Sequence, residues 1–268
     1  MKWSFRIATV AGIPVYVHVT FVVLIVFVFL QDWARGEDVR AALKGVLFIL
    51  AIFGTVVLHE FGHALTARRY GIQTQDITLL PIGGLARLER LPDIPRQELW
   101  VALAGPAVNI ALAMLTAALL VVTGDAILPR LAEAALSGAD APPDLAGTLR
   151  RFLVINVWLA LFNLIPAFPM DGGRALRAVL AERMDYVKAT ETAASLGQAL
   201  ALVFGFIGLF TNPFLMFIAL FVWMGATAEA STVSVRGAVS GVPVSRAMIT
   251  EFRAIDSDDS LQDVAALV

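Results

Sequence analysis

The chain has 268 residues, of which 59% are hydrophobic and 16% are charged, and its formal net charge is −2. This composition excludes a soluble globular domain and indicates an integral membrane protein. The chain contains no cysteine, which excludes a disulfide framework, a thiolate metal site and a cysteine nucleophile, and no basic block indicates a nucleic-acid partner.

Six apolar segments are predicted to cross the membrane. They cover residues 15–30, 45–67, 99–123, 149–163, 189–210 and 214–230. Of the connections between them, we expect 32–44 to be a charged loop, 124–147 an external loop and 174–188 a polar stretch. The basic N-terminus lacks a small-residue cleavage site, so we expect the first span to be retained rather than removed as a signal peptide.

The connection between the second and third spans has the pattern of a β-hairpin. Two strand-like segments, 77–80 and 85–89, flank a Pro-Ile-Gly-Gly turn at 81–84. Backbone near a membrane must have its polar groups satisfied by protein or water, so we place the hairpin at the cytosolic mouth of the bundle. The alternative is a plain loop. The predicted fold is an all-α polytopic membrane protein with about six transmembrane helices and this small membrane-associated β-hairpin.

The second span contains the motif His59-Glu60-Phe61-Gly62-His63. Positions i and i+4 share a helix face, so His59 and His63 can hold one Zn²⁺, and Glu60 can take a proton from a water at the metal. Histidines used for packing or capping are the alternative, but burying these three groups in hydrocarbon without a purpose is costly. The third histidine, His18, is expected to be interfacial or packed rather than a ligand.

Polar residues in the third span and at the end of the fourth span could also belong to a site. Asn109 in the third span either bridges two helices or belongs to a site, and the sequence leaves both interpretations open. The fourth span ends at Asn163, and Pro166 and Pro169 must then break the helix before Asp171. A carboxylate on broken intramembrane backbone indicates a functional site.

The distribution of basic residues predicts the orientation. Six spans place both termini on one side, and that side carries 14 of the 20 Lys and Arg residues. The positive-inside rule therefore predicts that both termini are cytoplasmic. We expect a multi-pass protein of a prokaryotic plasma membrane. In this orientation the His59 motif and Asp171 lie at the same depth.

Four motifs together resemble those of the site-2 protease family of intramembrane zinc metalloproteases. They are His-Glu-Phe-Gly-His at 59–63, Pro-Ile-Gly-Gly at 81–84, Gly-Pro-x-x-Asn at 105–109, and Asn-x-x-Pro-x-x-Pro-x-Asp-Gly-Gly at 163–173. The first motif occurs in many soluble proteases, but its pairing with the last inside membrane spans is specific.

The resemblance implies a zinc metalloendopeptidase that binds one Zn²⁺ per chain through His59, His63 and Asp171, with Glu60 as the general base. It suggests that Asn163 stabilises the oxyanion, the alternative being a helix cap. The implied substrate is a single-span membrane protein in the lipid bilayer, cut within or near its transmembrane segment. An unwound substrate needs a strand edge, and we expect either 77–80 or 85–89 to provide it.

The polar tail after residue 236 resembles the start of a cystathionine-β-synthase-type (CBS) regulatory domain. We therefore divide the chain into a transmembrane metalloprotease domain at 1–232 and, at 233–268, a linker with a shortened cytosolic CBS segment. This resemblance implies the subgroup with C-terminal CBS domains and a nucleotide bound at the CBS region of the full-length protein.

Two other classes of function have to be weighed. A zinc or proton-coupled transporter would also place histidines and carboxylates in broken helices, but it would normally show internal repeats, and the sequence has none. An inactive membrane scaffold would lack catalytic residues, whereas all the expected ones are present.

Overall fold

The computed structural model describes residues 3–36, 38–92, 94–124, 145–239, 243–246 and 248. Within these residues the fold is mostly helical. The helices are α1 (Val19–Ala34), α2 (Val39–Arg69), α3 (Pro95–Val122), α4 (Leu145–Asn163), α5 (Asp171–Ala181), α6 (Tyr186–Phe210) and α7 (Pro213–Val239). The strands are β1 (Ser4–Val10), β2 (Ile13–His18), β3 (Thr74–Leu80) and β4 (Gly83–Leu88).

The predicted spans correspond to six of these helices. By length and composition, α2, α3, α4, α6 and α7 are long and apolar enough to cross a membrane, and α1 is apolar but shorter. Their outward-facing side chains are largely apolar, such as Phe206, Phe210 and Leu115. The prediction of a mostly α, multi-pass membrane protein is confirmed.

The predicted hairpin is confirmed as β3 and β4, but it is part of a larger sheet. The four strands pair in the order β1-β2-β3-β4, with β2 and β3 parallel and the other two pairs antiparallel. The N-terminal hairpin was not predicted. Its strand β2 is an apolar run that continues directly into α1, so periodicity could not separate strand from helix. Its turn residues Ala11 and Gly12 both have positive φ, as two-residue hairpin turns require.

Two predicted boundaries were wrong. The first span begins at Val19 rather than at residue 15, because residues 13–18 form β2. The charged loop predicted at 32–44 is much shorter, since α2 begins at Val39, where the Asp38 carboxylate caps it by accepting the Ala41 N–H at 2.7 Å. The polar stretch at 174–188 is mainly helical, because α5 buries one face that includes Arg177 and Ala178.

His18 lies at a helix end. Its Nδ1 atom accepts the Thr20 N–H at 3.3 Å and so caps α1. The expectation that His18 is not a ligand stays a prediction.

The helices that carry the predicted site pack closely. A Cβ added to Gly62 of α2 would lie 2.6 Å from the Ala104 carbonyl oxygen of α3, so the two backbones touch where both helices pass the site. Most of the predicted external loop, and residues 240–242, 247 and 249–268 of the predicted linker and CBS segment, lie outside the described residues.

Candidate active site

Three side chains from two helices converge in the interior. His59 and His63 lie one turn apart on α2, and Asp171 is the first residue of α5. Each is 6–7% exposed. The broken segment between α4 and α5 turns the chain back, so that Asp171 reaches the face of α2 that carries both histidines.

The possible metal-ligand atoms of the three side chains form a nearly equilateral triangle. The Asp171 Oδ2 atom lies 3.1 Å from His59 Nε2 and 3.1 Å from His63 Nε2, and the two Nε2 atoms are 3.1 Å apart. Ligands of a tetrahedral ion with bonds of about 2.0 Å are roughly 3.3 Å apart, so this triangle fits Zn²⁺. Two imidazoles and one carboxylate are also ligands that Zn²⁺ accepts.

The hydrogen bonds behind the imidazoles make both Nε2 atoms available to a metal. His63 Nδ1 lies 2.7 Å from the Val101 carbonyl oxygen, and His59 Nδ1 lies 2.6 Å from Asn109 Oδ1. A backbone carbonyl can only accept, so His63 carries its proton on Nδ1 and leaves Nε2 free to bind. Asn109, whose role the sequence left open, contacts His59 directly.

A glycine leaves the room between the two imidazoles. A Cβ added to Gly105 of α3 would collide with the His63 ring and lie 2.6 Å from His59 Nε2. Any larger residue at this position would therefore displace the two donor nitrogens from their present geometry.

The β3–β4 hairpin holds Glu60 beside His59, His63 and Asp171. Its Oε2 atom accepts the Ala86 N–H of β4 at 3.2 Å. A Cβ on Gly84 would lie 2.7 Å from Glu60 Cγ, so a glycine is needed for β4 to approach this closely. Glu60, His59 and Asn163 line a cavity of about 270 Å³ whose other walls include Val56, Phe162 and Phe221.

Asn163 ends α4 at the edge of this cavity. One N–H of its amide donates to the Leu159 carbonyl oxygen at 3.0 Å, and this contact is compatible with the alternative that Asn163 serves as a helix cap. The amide nitrogen carries two hydrogens, so the second can still donate to a bound molecule. The structure thus places His59, Glu60 and Asn163 on one cavity, and His63 and Asp171 each lie 3.1 Å from His59. Sequence analysis did not identify Val101 and Asn156 as supporting residues.

Comparison with known proteins identifies the family. Residues 47–204 match the family model described as peptidase family M50. The chain belongs to peptidase family M50. This match covers all three convergent side chains and their supporting residues on α3 and α4.

Two relatives agree with the M50 assignment. A zinc metalloprotease of Methanocaldococcus jannaschii is 37% identical over 236 residues, covering 88% of this chain and 63% of that protein. The solved structure of a site-2 protease from M. jannaschii aligns with a TM-score of 0.56 at 31% identity, covering 95% of this chain and all of the other. The chain spans less than two thirds of the length of the M. jannaschii metalloprotease.

These findings confirm the resemblance to the site-2 protease family and give no support to the transporter alternative. The CBS subgroup stays a prediction, as do the roles assigned to individual site residues.

Proposed function

We propose that this M50 peptidase is an intramembrane zinc metalloprotease that hydrolyses a peptide bond within or near a transmembrane segment of a membrane protein. The observation that carries the proposal is the buried triangle of His59, His63 and Asp171 beside the Glu60 carboxylate. Three protein donors leave a position open for a reactant, as in catalytic zinc sites, whereas structural sites are closed by four.

In this proposal each residue has a distinct task. His59, His63 and Asp171 would hold Zn²⁺, which supplies Lewis acidity to the attacking water and to the scissile carbonyl. Glu60 accepts a proton from that water and returns it to the leaving amine. Asn163 donates its free N–H to the carbonyl oxygen as negative charge develops there.

The test is an assay of the purified full chain together with a single-span membrane protein. Wild type is expected to contain one zinc per chain and to cleave, and Asp171→Ala is expected to lose both. The proposal is wrong if the protein neither retains zinc nor cleaves any membrane substrate, or if Asp171→Ala cleaves at the wild-type rate.

We further propose that β4 receives the substrate as an added strand. β3 pairs with β2 on one side and with β4 on the other, so it has no edge to offer, and β4 is the outer strand of the sheet. The Ala86 N–H points to Glu60 rather than to β3, so alternate backbone groups of β4 point away from β3, and Gly83 and Gly84 at the start of β4 line the cavity beside Glu60. This arrangement favours 85–89 over 77–80 as the substrate-binding segment.

A crosslinking experiment tests this edge, because the chain has no cysteine of its own. In an inactive variant, a cysteine replacing the exposed Arg87 of β4 is expected to form a disulfide with single cysteines placed at alternate positions of the substrate. Ile7→Cys, on the opposite edge strand β1, is the matched control. Crosslinking at Ile7 but not at Arg87 would move the substrate to another surface.

We also propose that both termini are cytoplasmic in a prokaryotic plasma membrane, which the distribution of Lys and Arg supports. Thr123→Cys at the end of α3 is then expected to react with an impermeant thiol reagent added outside, and Glu182→Cys after α5 is not. The reverse pattern would invert the topology. Cytoplasmic termini would also place a CBS segment at 233–268 where it could meet a nucleotide.

A further inference from the structure

Behind the metal-binding face of His59, two fully buried asparagines form a continuous chain of hydrogen bonds. Asn109 of α3 and Asn156 of α4 are both 0% exposed. Asn109 Oδ1 lies 2.6 Å from His59 Nδ1, and the Asn109 amide nitrogen donates to Asn156 Oδ1 at 3.1 Å. The Asn156 amide nitrogen in turn donates to the Phe152 carbonyl oxygen at 2.9 Å.

The Phe152 carbonyl, at the end of these hydrogen bonds, determines which atom of each asparagine amide donates and which accepts. The Phe152 carbonyl can only accept, so Asn156 must present its NH₂ to it and its oxygen to Asn109. Asn109 must then present its NH₂ to Asn156 and its oxygen to His59. His59 consequently carries its proton on Nδ1, and its Nε2 lone pair points to Asp171 and His63.

We propose that Asn109 and Asn156 are positioning residues that hold His59 in the tautomer that binds the metal. The inference rests on the proposed function, because it takes His59 to be a zinc ligand. His63 reaches the same tautomer directly through the Val101 carbonyl. Among the described residues, the acceptor that His59 Nδ1 meets is the Asn109 oxygen rather than a backbone carbonyl, and the two amides link it to a backbone acceptor of α4.

The proposal explains why two amides are buried at this depth. An asparagine amide is costly to bury unless its donors and acceptor are satisfied. Metal-binding histidines generally have their second nitrogen fixed by an acceptor, and loss of that acceptor weakens metal binding. A bridge between α3 and α4 alone would not require the Asn109 oxygen to contact His59 Nδ1, which lies 2.6 Å from it.

Zinc affinity of the full chain in detergent, measured against a metal buffer, tests the proposed role of Asn109 and Asn156. Asn109→Leu removes the acceptor at similar volume and is expected to weaken zinc binding by about 10–100-fold. Asn109→Asp keeps an acceptor for the His59 proton and is expected to bind zinc nearly as tightly as wild type. A packing role would give the opposite order, because an apolar side chain is easier to bury than a carboxylate.

Asn156→Leu is the sharper variant, because it leaves Asn109 in contact with His59. Without Asn156 the Asn109 amide can rotate and offer its NH₂ to His59, which favours a proton on Nε2 and blocks the metal. We expect an affinity loss smaller than that of Asn109→Leu. The double variant is expected to be no worse than Asn109→Leu, because the two residues act in series.

Thr116→Val is the matched control. Thr116 is a buried polar residue on α3, two turns beyond Asn109, and its hydroxyl donates to the Leu112 carbonyl oxygen at 2.8 Å. Zinc affinity is expected to be unchanged in this variant. Melting temperatures measured with chelator separate any loss of packing from the loss of metal.

The tautomer of His59 can be measured directly by NMR, because the chain has three histidines and their signals can be assigned individually. With ¹⁵N-labelled histidine, the chelated wild type is expected to show His59 protonated at Nδ1, and Asn156→Leu is expected to shift protons to Nε2. The proposed role of Asn109 and Asn156 is refuted if Asn156→Leu keeps both the wild-type tautomer of His59 and the wild-type zinc affinity. It is also refuted if Asn109→Asp binds zinc as poorly as Asn109→Leu. Absence of zinc from wild type would instead refute the proposed function.

Discussion

Replacing Glu60 with glutamine is expected to abolish cleavage while zinc stays bound. Glutamine has nearly the same shape and keeps an oxygen that can accept the Ala86 N–H, so the hairpin should stay in place. It cannot accept the proton of the attacking water. Loss of a general base typically costs about 10²–10⁴ in rate, so turnover is expected to fall by at least this range. Product formation and zinc content, measured on the same purified sample, check the prediction.

Two further variants, a control and a test of Asn163, are measured in the same way as Glu60→Gln. Glu182→Gln removes an exposed carboxylate just after α5 and is expected to leave both readouts unchanged. Asn163→Ala is expected to keep zinc and lose about 10²-fold in turnover, as when an oxyanion donor is removed. Zinc loss in Glu60→Gln would mean that Glu60 is a ligand, and full activity would exclude it as the base.

The parts of the site that are local in sequence could be predicted. The spacing of His59 and His63 is a property of one helix, so the shared face follows from 3.6 residues per turn. The hairpin was also predictable, because its strands and turn occupy 13 consecutive residues, 77–89. Depth in the membrane then linked Asp171 to the histidines, since Lys and Arg counts set the direction of every span.

The supporting residues could not be predicted, because their partners are distant in sequence. Asn109 is 50 residues from His59 and 47 from Asn156, and no periodicity connects such positions. An asparagine in an apolar span is equally compatible with helix bridging and with a site. Only the packing of α2, α3 and α4 shows that Asn109 contacts both Asn156 and His59. The same limit applies to β2, whose pairing with β3 joins residues about 60 positions apart.

Arg177 is the clearest residue whose importance only the three-dimensional contacts show. The sequence places it in a polar stretch, but its side chain is 0% exposed. Its Nε donates to Glu98 Oε1 of α3 at 2.9 Å, and its Nη1 donates to Glu229 of α7. The guanidinium also lies 5.1 Å from the Phe168 ring centroid and 5.0 Å from that of Tyr186. Arg177 thus joins three helices six residues after Asp171.

Arg177→Met is expected to lower the stability of the protein by about 3–5 kcal/mol, the cost of breaking a buried ion pair by removing one partner. Methionine fills part of the space but leaves the Glu98 and Glu229 carboxylates without their guanidinium partner. Melting temperature in detergent is expected to fall by roughly 6–20 °C, at about 2–4 °C per kcal/mol for chains of this size. Zinc content is expected to fall too, because α5 carries Asp171. Arg183→Met, at an exposed arginine near the end of α5, is the control and is expected to change stability by less than about 0.5 kcal/mol.

Adding Glu98→Gln and Glu229→Gln to Arg177→Met separates the charge from the shape of the side chain. Replacing a whole buried ion network by neutral groups is often far less costly than breaking it. We therefore expect the triple variant to be more stable than Arg177→Met alone and to regain zinc. If the triple variant is instead less stable than the single one, the three residues contribute independently. Asp171 would then be positioned by the packing of Phe168 and the neighbouring helices rather than by the ion network.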